Sequence, residues 1–265
     1  MNKKRKQLTL LISSLLASAT CMAAPIKLDL YTQEFPPLQV RVDGQADGYT
    51  IKFVQAVIDD AAKTYPMEVN SLRFAPWKRA IKNTQQLENV LLFSISRTPE
   101  REALYQWIGE VSPYEVAVYR KAEGPQVAAT SLSELSQYRF AAQIASSFEE
   151  LITSEDFHHI IPVNQGKEAI KLLKMDRVDF APMVTASFPY RMEQYGYNPS
   201  EFVEVAKVDK LCQQLWLVTG HNTPKEVVDA LSASLNKLKN QGLLQQLIDD
   251  YQPDSAVMKN YRQQR

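Results

Sequence analysis

Apolar and polar positions change period several times along the chain, and each change marks an element. Ile26 to Tyr31 alternates apolar with polar residues, the period of a half-buried strand, and Phe35-Pro36-Pro37 then forces an extended turn. After Asp43-Gly44 and Gly48, the residues Phe53, Val54, Val57, Ile58 and Ala61 line one helix face, which Pro66 ends. A short helix is expected from Pro76-Trp77. Val90-Leu91-Leu92-Phe93 is a continuous apolar run, as in a strand buried on both faces. The order is strand, helix, strand.

A second round begins with Tyr114 to Tyr119. Ser131 with Glu134 forms a capping box, Arg139 to Ala142 reads as a strand, and Ser146-Ser147 followed by Glu149-Glu150 starts another helix. Ile160 to Val163, a helix through Ile170 and Leu173, and a strand at Val178 to Ala181 complete the unit. Leu215 to Val218 is a further strand. It leads into Thr223-Pro224-Lys225-Glu226, an N-cap with proline at the first helical position and a capping Glu. Val227, Val228, Leu231, Leu235 and Leu238 carry that helix to about Gly242. Such alternation predicts an α/β protein of two lobes, each a mainly parallel sheet with flanking helices. Ligands of these sheets lie beyond the carboxyl ends of strands, which points to the loops after Leu30, Ile95, Ile144 and Met183.

The first 24 residues have the three zones of an export signal: Lys3, Lys4, Arg5 and Lys6, an apolar stretch from Leu8 to Leu16, and small residues before Pro25. The apolar run falls short of the roughly 20 residues that span a bilayer. Cys21 follows Ser18-Ala19-Thr20, a poor context for lipid attachment, so cleavage after Ala23 or Ala24 and an unanchored periplasmic product are expected. Cys212 is then the lone cysteine, and no intramolecular disulfide can form. Loss of those four cations reduces the 30 Lys plus Arg to 26, against 30 Asp plus Glu. A mildly acidic chain without basic clusters is a poor partner for nucleic acid.

The segment from Phe93 through Ser96-Arg97-Thr98-Pro99-Glu100-Arg101-Glu102 to Trp107 carries the most chemistry. Thr98 can cap a helix begun by Pro99, whose free N–H groups and the Arg101 fork would together suit a carboxylate. The alternative is that Arg97 and Arg101 pair with Glu100, Glu102 or Glu110 on the surface. Asp179 is expected to fix a loop and Trp107 to pack on the first lobe. His158-His159 lacks the further ligands a metal site needs, so no metal or cofactor is expected.

In order along the chain, Phe35-Pro36-Pro37, Gly48-Tyr49, Pro76-Trp77-Lys78-Arg79-Ala80, Ser96 to Glu102, Arg177-Val178-Asp179 and the helix from Pro224 resemble the amino-acid-type (family 3) extracellular solute-binding proteins. That resemblance implies the type II periplasmic-binding-protein fold, with two lobes joined by two crossing strands near Tyr114 to Val118 and Gln213 to Leu217. The first lobe would take residues 25–115 and 217–265, and the second 116–216. It also implies that Arg101 binds a ligand carboxylate, with Ser94, Ser96 and Ser147 adding hydrogen bonds. Phe35, Trp77 and Tyr114 are candidates for the apolar cleft wall or for stacking on a cation.

Where the family often has an acid for an amino acid's ammonium group, this chain has Val184-Thr185. Glu34 is the candidate substitute; otherwise the ligand is a carboxylate without an α-amino group. The expected function is capture of a small carboxylate-bearing solute, an amino acid or a related compound, by a monomer without catalytic residues. Its partner would be an inner-membrane ABC transporter or a sensor. The rival readings are a dehydratase-like periplasmic enzyme, with Glu34 as its acid or base, and a sensing input to a separate membrane signalling protein.

Overall fold

The structure is a computed structural model that describes residues 24 to 252 apart from 43, 125, 128 and 130. The export segment before residue 24 and Cys21 lie outside the described residues. Among those described, no helix is long and apolar enough to cross a membrane.

The first lobe is a five-stranded sheet in the order β4-β1-β5-β12-β6, built from β1 (Ile26–Thr32), β4 (Met67–Phe74), β5 (Val90–Ser96), β6 (Gln106–Tyr114) and β12 (Gln213–Thr219). β1 runs parallel to both β4 and β5, while β12 runs antiparallel to β5 and β6. The expected parallel core is therefore extended by two strands of opposite sense. Helices α1 (Tyr49–Ala61), α2 (Trp77–Gln86), α6 (Lys225–Asn240) and α7 (Leu243–Asp250) accompany this sheet, and a small ribbon of β2 (Val40–Val42) and β3 (Gln45–Asp47) precedes α1. The periodic face read from the sequence is the face that packs. Phe53, Val54, Val57 and Ile58 meet Leu28, Leu30, Leu91 and Phe93 of the sheet and Val227, Leu231 and Leu235 of α6.

The second lobe places β7 (Val116–Lys121) between β10 (Ala181–Val184) and β11 (Phe202–Lys207), antiparallel to both. Beside them β8 (Phe140–Gln143) and β9 (Ile160–Val163) form a parallel pair, joined through the Phe140 to Phe180 bridge. Its helices are α3 (Ser147–Ser154), α4 (Gly166–Lys174) and α5 (Phe188–Tyr195). Phe140 packs against Phe148, Phe157 and Phe180, giving this lobe an aromatic core of its own. Fully burying one such ring contributes about 1.5–3 kcal/mol.

Two expectations need correction. The strand anticipated at Val178 to Ala181 starts at Ala181, because Asp176 turns with a left-handed φ of 56° and Asp179 is engaged by Arg139 instead. The helix expected from Pro99 does not form. Residues 99 to 101 turn, and a single 3₁₀ turn at Glu102–Leu104 follows before β6 must begin at Gln106. The Arg101 N–H is already bonded to the Thr98 carbonyl at 3.0 Å, so no helix start is offered there.

The chain leaves the first sheet through Glu115 between β6 and β7, and returns through residues 208 to 212 into β12. These crossings run side by side: the Val208 N–H donates to the Val116 carbonyl at 2.8 Å, and Gln213 stands opposite Tyr114.

Candidate functional site

Four strand ends converge on one cavity of about 90 Å³ between the lobes. The end of β1 contributes Gln33 and Phe35, β5 contributes Ser94 and Ser96, the β8 to α3 turn contributes Gln143, Ser146 and Ser147, and β10 contributes Met183 and Val184. These are the four loops that the strand-end rule selected. Trp77, Arg101, Tyr114, Phe148 and Arg191 complete the polar and aromatic lining.

The backbone is bent to this purpose at two places. Ser94 takes a left-handed φ of 64° inside a buried strand, and its Oγ donates to Gln39 Oε1 at 2.9 Å. Ala145 has φ 61°, which turns its carbonyl to accept from Trp77 Nε1 and Arg101 Nη2, each at 2.9 Å. Non-glycine residues in this region carry strain on the order of 1–3 kcal/mol, sustained only where surrounding contacts fix them. At α3 the cap is reciprocal: Ser146 Oγ accepts from the Glu149 N–H at 3.1 Å, while Glu149 Oε2 accepts from the Ala145 N–H at 2.9 Å.

Arg101 is 4% exposed and all five of its N–H donors are used. Nη1 reaches the Ser96 carbonyl at 3.2 Å and Ser96 Oγ at 2.9 Å. Nη2 reaches the Ala145 carbonyl and Glu150 Oε1 at 2.8 Å, and Nε reaches the same Oε1 at 3.3 Å. Glu150 comes from α3 on the opposite lobe. Its burial raises the carboxyl above the ordinary glutamate range, against the pull of Arg101, and its Oε2 is buried without a hydrogen-bond partner among the described residues. The surface pairing considered from sequence holds for Arg97, which binds Glu102 and lies over the rings of Trp107 and Trp216, but not for Arg101.

The structure brings together Arg101, Ser94, Ser96, Ser147, Phe35, Trp77 and Tyr114 on this cavity. Glu34 is not with them. It lines an adjoining cavity with Gln194, Tyr195 and Arg191, and accepts from Gln194 Nε2 at 3.2 Å. Tyr114 Oη and Ser147 Oγ stand 3.4 Å apart, and burial pushes the phenol pKa up while Arg101 and Arg191 both pull it back. Phe35 does stack on a cation, but the cation is the protein's own: Arg191 Cζ lies 4.9 Å over its ring centroid.

Sequence reasoning missed four polar residues of the wall, one of them Ser146, which it read only as the start of a helix. Gln33 and Gln143 sit at strand ends and bond each other across the lobes at 2.8 Å, so the strand-end rule could have found them. Arg191 lies on α5, beyond the 3₁₀ turn at Thr185–Ser187 that follows β10, where no local signal marks it. Among the described residues no group of three or more His, Cys, Asp or Glu could hold a metal ion.

No protein-family model matches the chain, and no curated protein sequence matches it. Solved structures do. A histidine kinase sensor domain with similarity to periplasmic binding proteins aligns with TM-score 0.73 at 16% identity, covering 86% of this chain and 95% of its own. An ancestral arginine-binding protein bound to arginine aligns with TM-score 0.71 at 16% identity, covering 85% and 97%. An amino acid ABC transporter substrate-binding protein from Streptococcus pneumoniae, bound to L-arginine, aligns with TM-score 0.69 at 20% identity, covering 85% and 94%. At these identities the likeness establishes the periplasmic-binding-protein fold.

Proposed function

We propose that this chain is a periplasmic substrate-binding protein of the amino-acid-type family, which captures a small carboxylate-bearing solute between its lobes for an ABC transporter. The observation that carries this reading is the convergence of Ser94, Ser96, Tyr114, Ser147 and two guanidinium groups on one interlobe cavity. Arg101 takes the ligand carboxylate once Glu150 withdraws, the serines add hydrogen bonds, and Phe35, Trp77 and Tyr114 form the apolar wall. Residues 25–115 and 217–265 move against 116–216 about the two crossings. Ligand bridges the lobes and stabilises the closed form. Segment 1–24 directs export, the mature monomer is not lipid-anchored, and its partner is an inner-membrane transporter.

The likeness to a histidine kinase sensor domain supports a second reading, in which the closed form is presented to a separate membrane signalling protein. Catalysis is a weaker reading, because Glu34 faces the adjoining cavity and Glu150, the acid that reaches the lining, is held by Arg101.

Thermal denaturation with a panel of amino acids and small carboxylates tests the proposal. A ligand at 100 times its Kd adds about 2.7 kcal/mol of stability. The stabilisation should vanish in Arg101→Ala and weaken in Ser96→Ala, which leaves the guanidinium in place. A panel without effect, or an undiminished effect in both variants, contradicts it.

A further inference from the structure

The cavity lining includes two arginines and no acidic side chain. Glu150 offsets Arg101, yet Arg191 has no carboxylate within ion-pair distance among the described residues. Its Nε is buried with no hydrogen-bond partner, a condition an acceptor in the cavity would relieve. The side chain is fixed rather than loose. Phe35 lies under it, and Nη1 is 3.0 Å from where a Cβ on Gly166 would stand.

Gly166 opens α4, whose N-cap residue Gln165 makes no side-chain cap. The peptide groups at that end carry partial positive charge, which Glu168 of the first turn partly offsets as it accepts from the Asn164 N–H at 2.9 Å. An anion between those groups and the Arg191 guanidinium would be held from both sides. Glu34 is engaged with Gln194 in the adjoining cavity. An ammonium group entering the inner cavity would meet Arg191 and, apart from the Glu150 carboxylate that Arg101 already holds, no acid of the lining.

We infer that Arg191 is a second anion anchor, and that the preferred ligand is a small dicarboxylate without an ammonium group, held between Arg101 and Arg191. This rests on the reading of the cavity as a ligand-binding cleft. Arg191 then determines specificity for the far end of the ligand, while Arg101 and the serines hold the near end. Its bidentate fork suits a carboxylate, and Gly166 leaves the room for it.

Calorimetric titration with malonate, succinate, glutarate and adipate, beside butyrate, valerate, glutamate and arginine, tests the inference. The best dicarboxylate should bind at least about tenfold more tightly than the matched monocarboxylate and than either amino acid. Arg191→Gln should remove that preference, and Arg191→Lys should keep part of it. Tighter binding of an amino acid, or an intact dicarboxylate preference in Arg191→Gln, overturns the inference and leaves the binding reading standing. Failure of the whole series to bind defeats both.

Discussion

Glu150 Oε1 lies 2.8 Å from Arg101 Nη2 and 3.3 Å from its Nε, an ion pair that joins α3 of one lobe to the loop after β5 of the other. The Glu150 carboxylate thus occupies the fork assigned to the ligand, and the protein carries its own competitor. Glu150→Ala should tighten binding of a small carboxylate severalfold, because nothing need be displaced. The same change should cost the ligand-free protein about 1–3 kcal/mol by leaving a buried guanidinium short of acceptors. Calorimetry and urea denaturation read the two effects, and unchanged affinity would remove Glu150 from the competitor role.

Trp77 Nε1 spans the cleft to the Ala145 carbonyl at 2.9 Å, and that carbonyl also accepts from Arg101. Trp77→Phe keeps most of the apolar wall but loses this bond. We expect a loss of about 0.5–1.5 kcal/mol in denaturant titrations of the ligand-free protein, the net worth of one such hydrogen bond. A loss above about 3 kcal/mol would mean that the indole's packing, not its hydrogen bond, dominates.

Gly48 precedes α1 with φ 121°, and a Cβ there would stand 2.3 Å from the Leu38 carbonyl oxygen. Backbone, unlike a side-chain end, cannot move aside. Gly48→Ala should destabilise the fold by about 2–4 kcal/mol, from both the conformation and the clash. A melting temperature equal to that of the native protein would contradict this.

Asp60 at the end of α1 accepts from Lys237 of α6 at 2.8 and 3.0 Å and from Lys63 at 3.0 Å. These bonds, Lys237 first, lower its pKa from 3.8 to about 2. A depressed carboxyl contributes stability that is present above its unfolded value and disappears as pH falls through its folded value. Native protein should therefore lose this contribution between about pH 4 and 2, a window in which Asp60→Asn shows a shallower decline in chemical denaturation. Parallel curves for the two proteins would rule out the linkage.

Much of the scaffold was readable because burial writes periodicity into the chain. The α1 face, the β5 run and the Ser146 cap with Glu149 fell where the pattern put them, and the four strand-end loops line the cavity. What was not readable depends on contacts made across the lobes. Nothing in the sequence near Glu150 says that it meets Arg101 some 49 residues away. Arg191 looks like any exposed helix residue until α5 is folded against Phe35 and Gly166. The stretch from Pro99 has the residues of a helix start, but the nearby start of β6 at Gln106 leaves room for one turn only.

A crystal structure of the protein with whichever small carboxylate stabilises it most would test the central claim most directly. The account predicts ligand density between Ser94, Tyr114 and Ser147, with a carboxylate on the Arg101 guanidinium and Glu150 turned away from it. Density elsewhere on the surface, or an intact Arg101 to Glu150 pair beside an empty cavity, would contradict it.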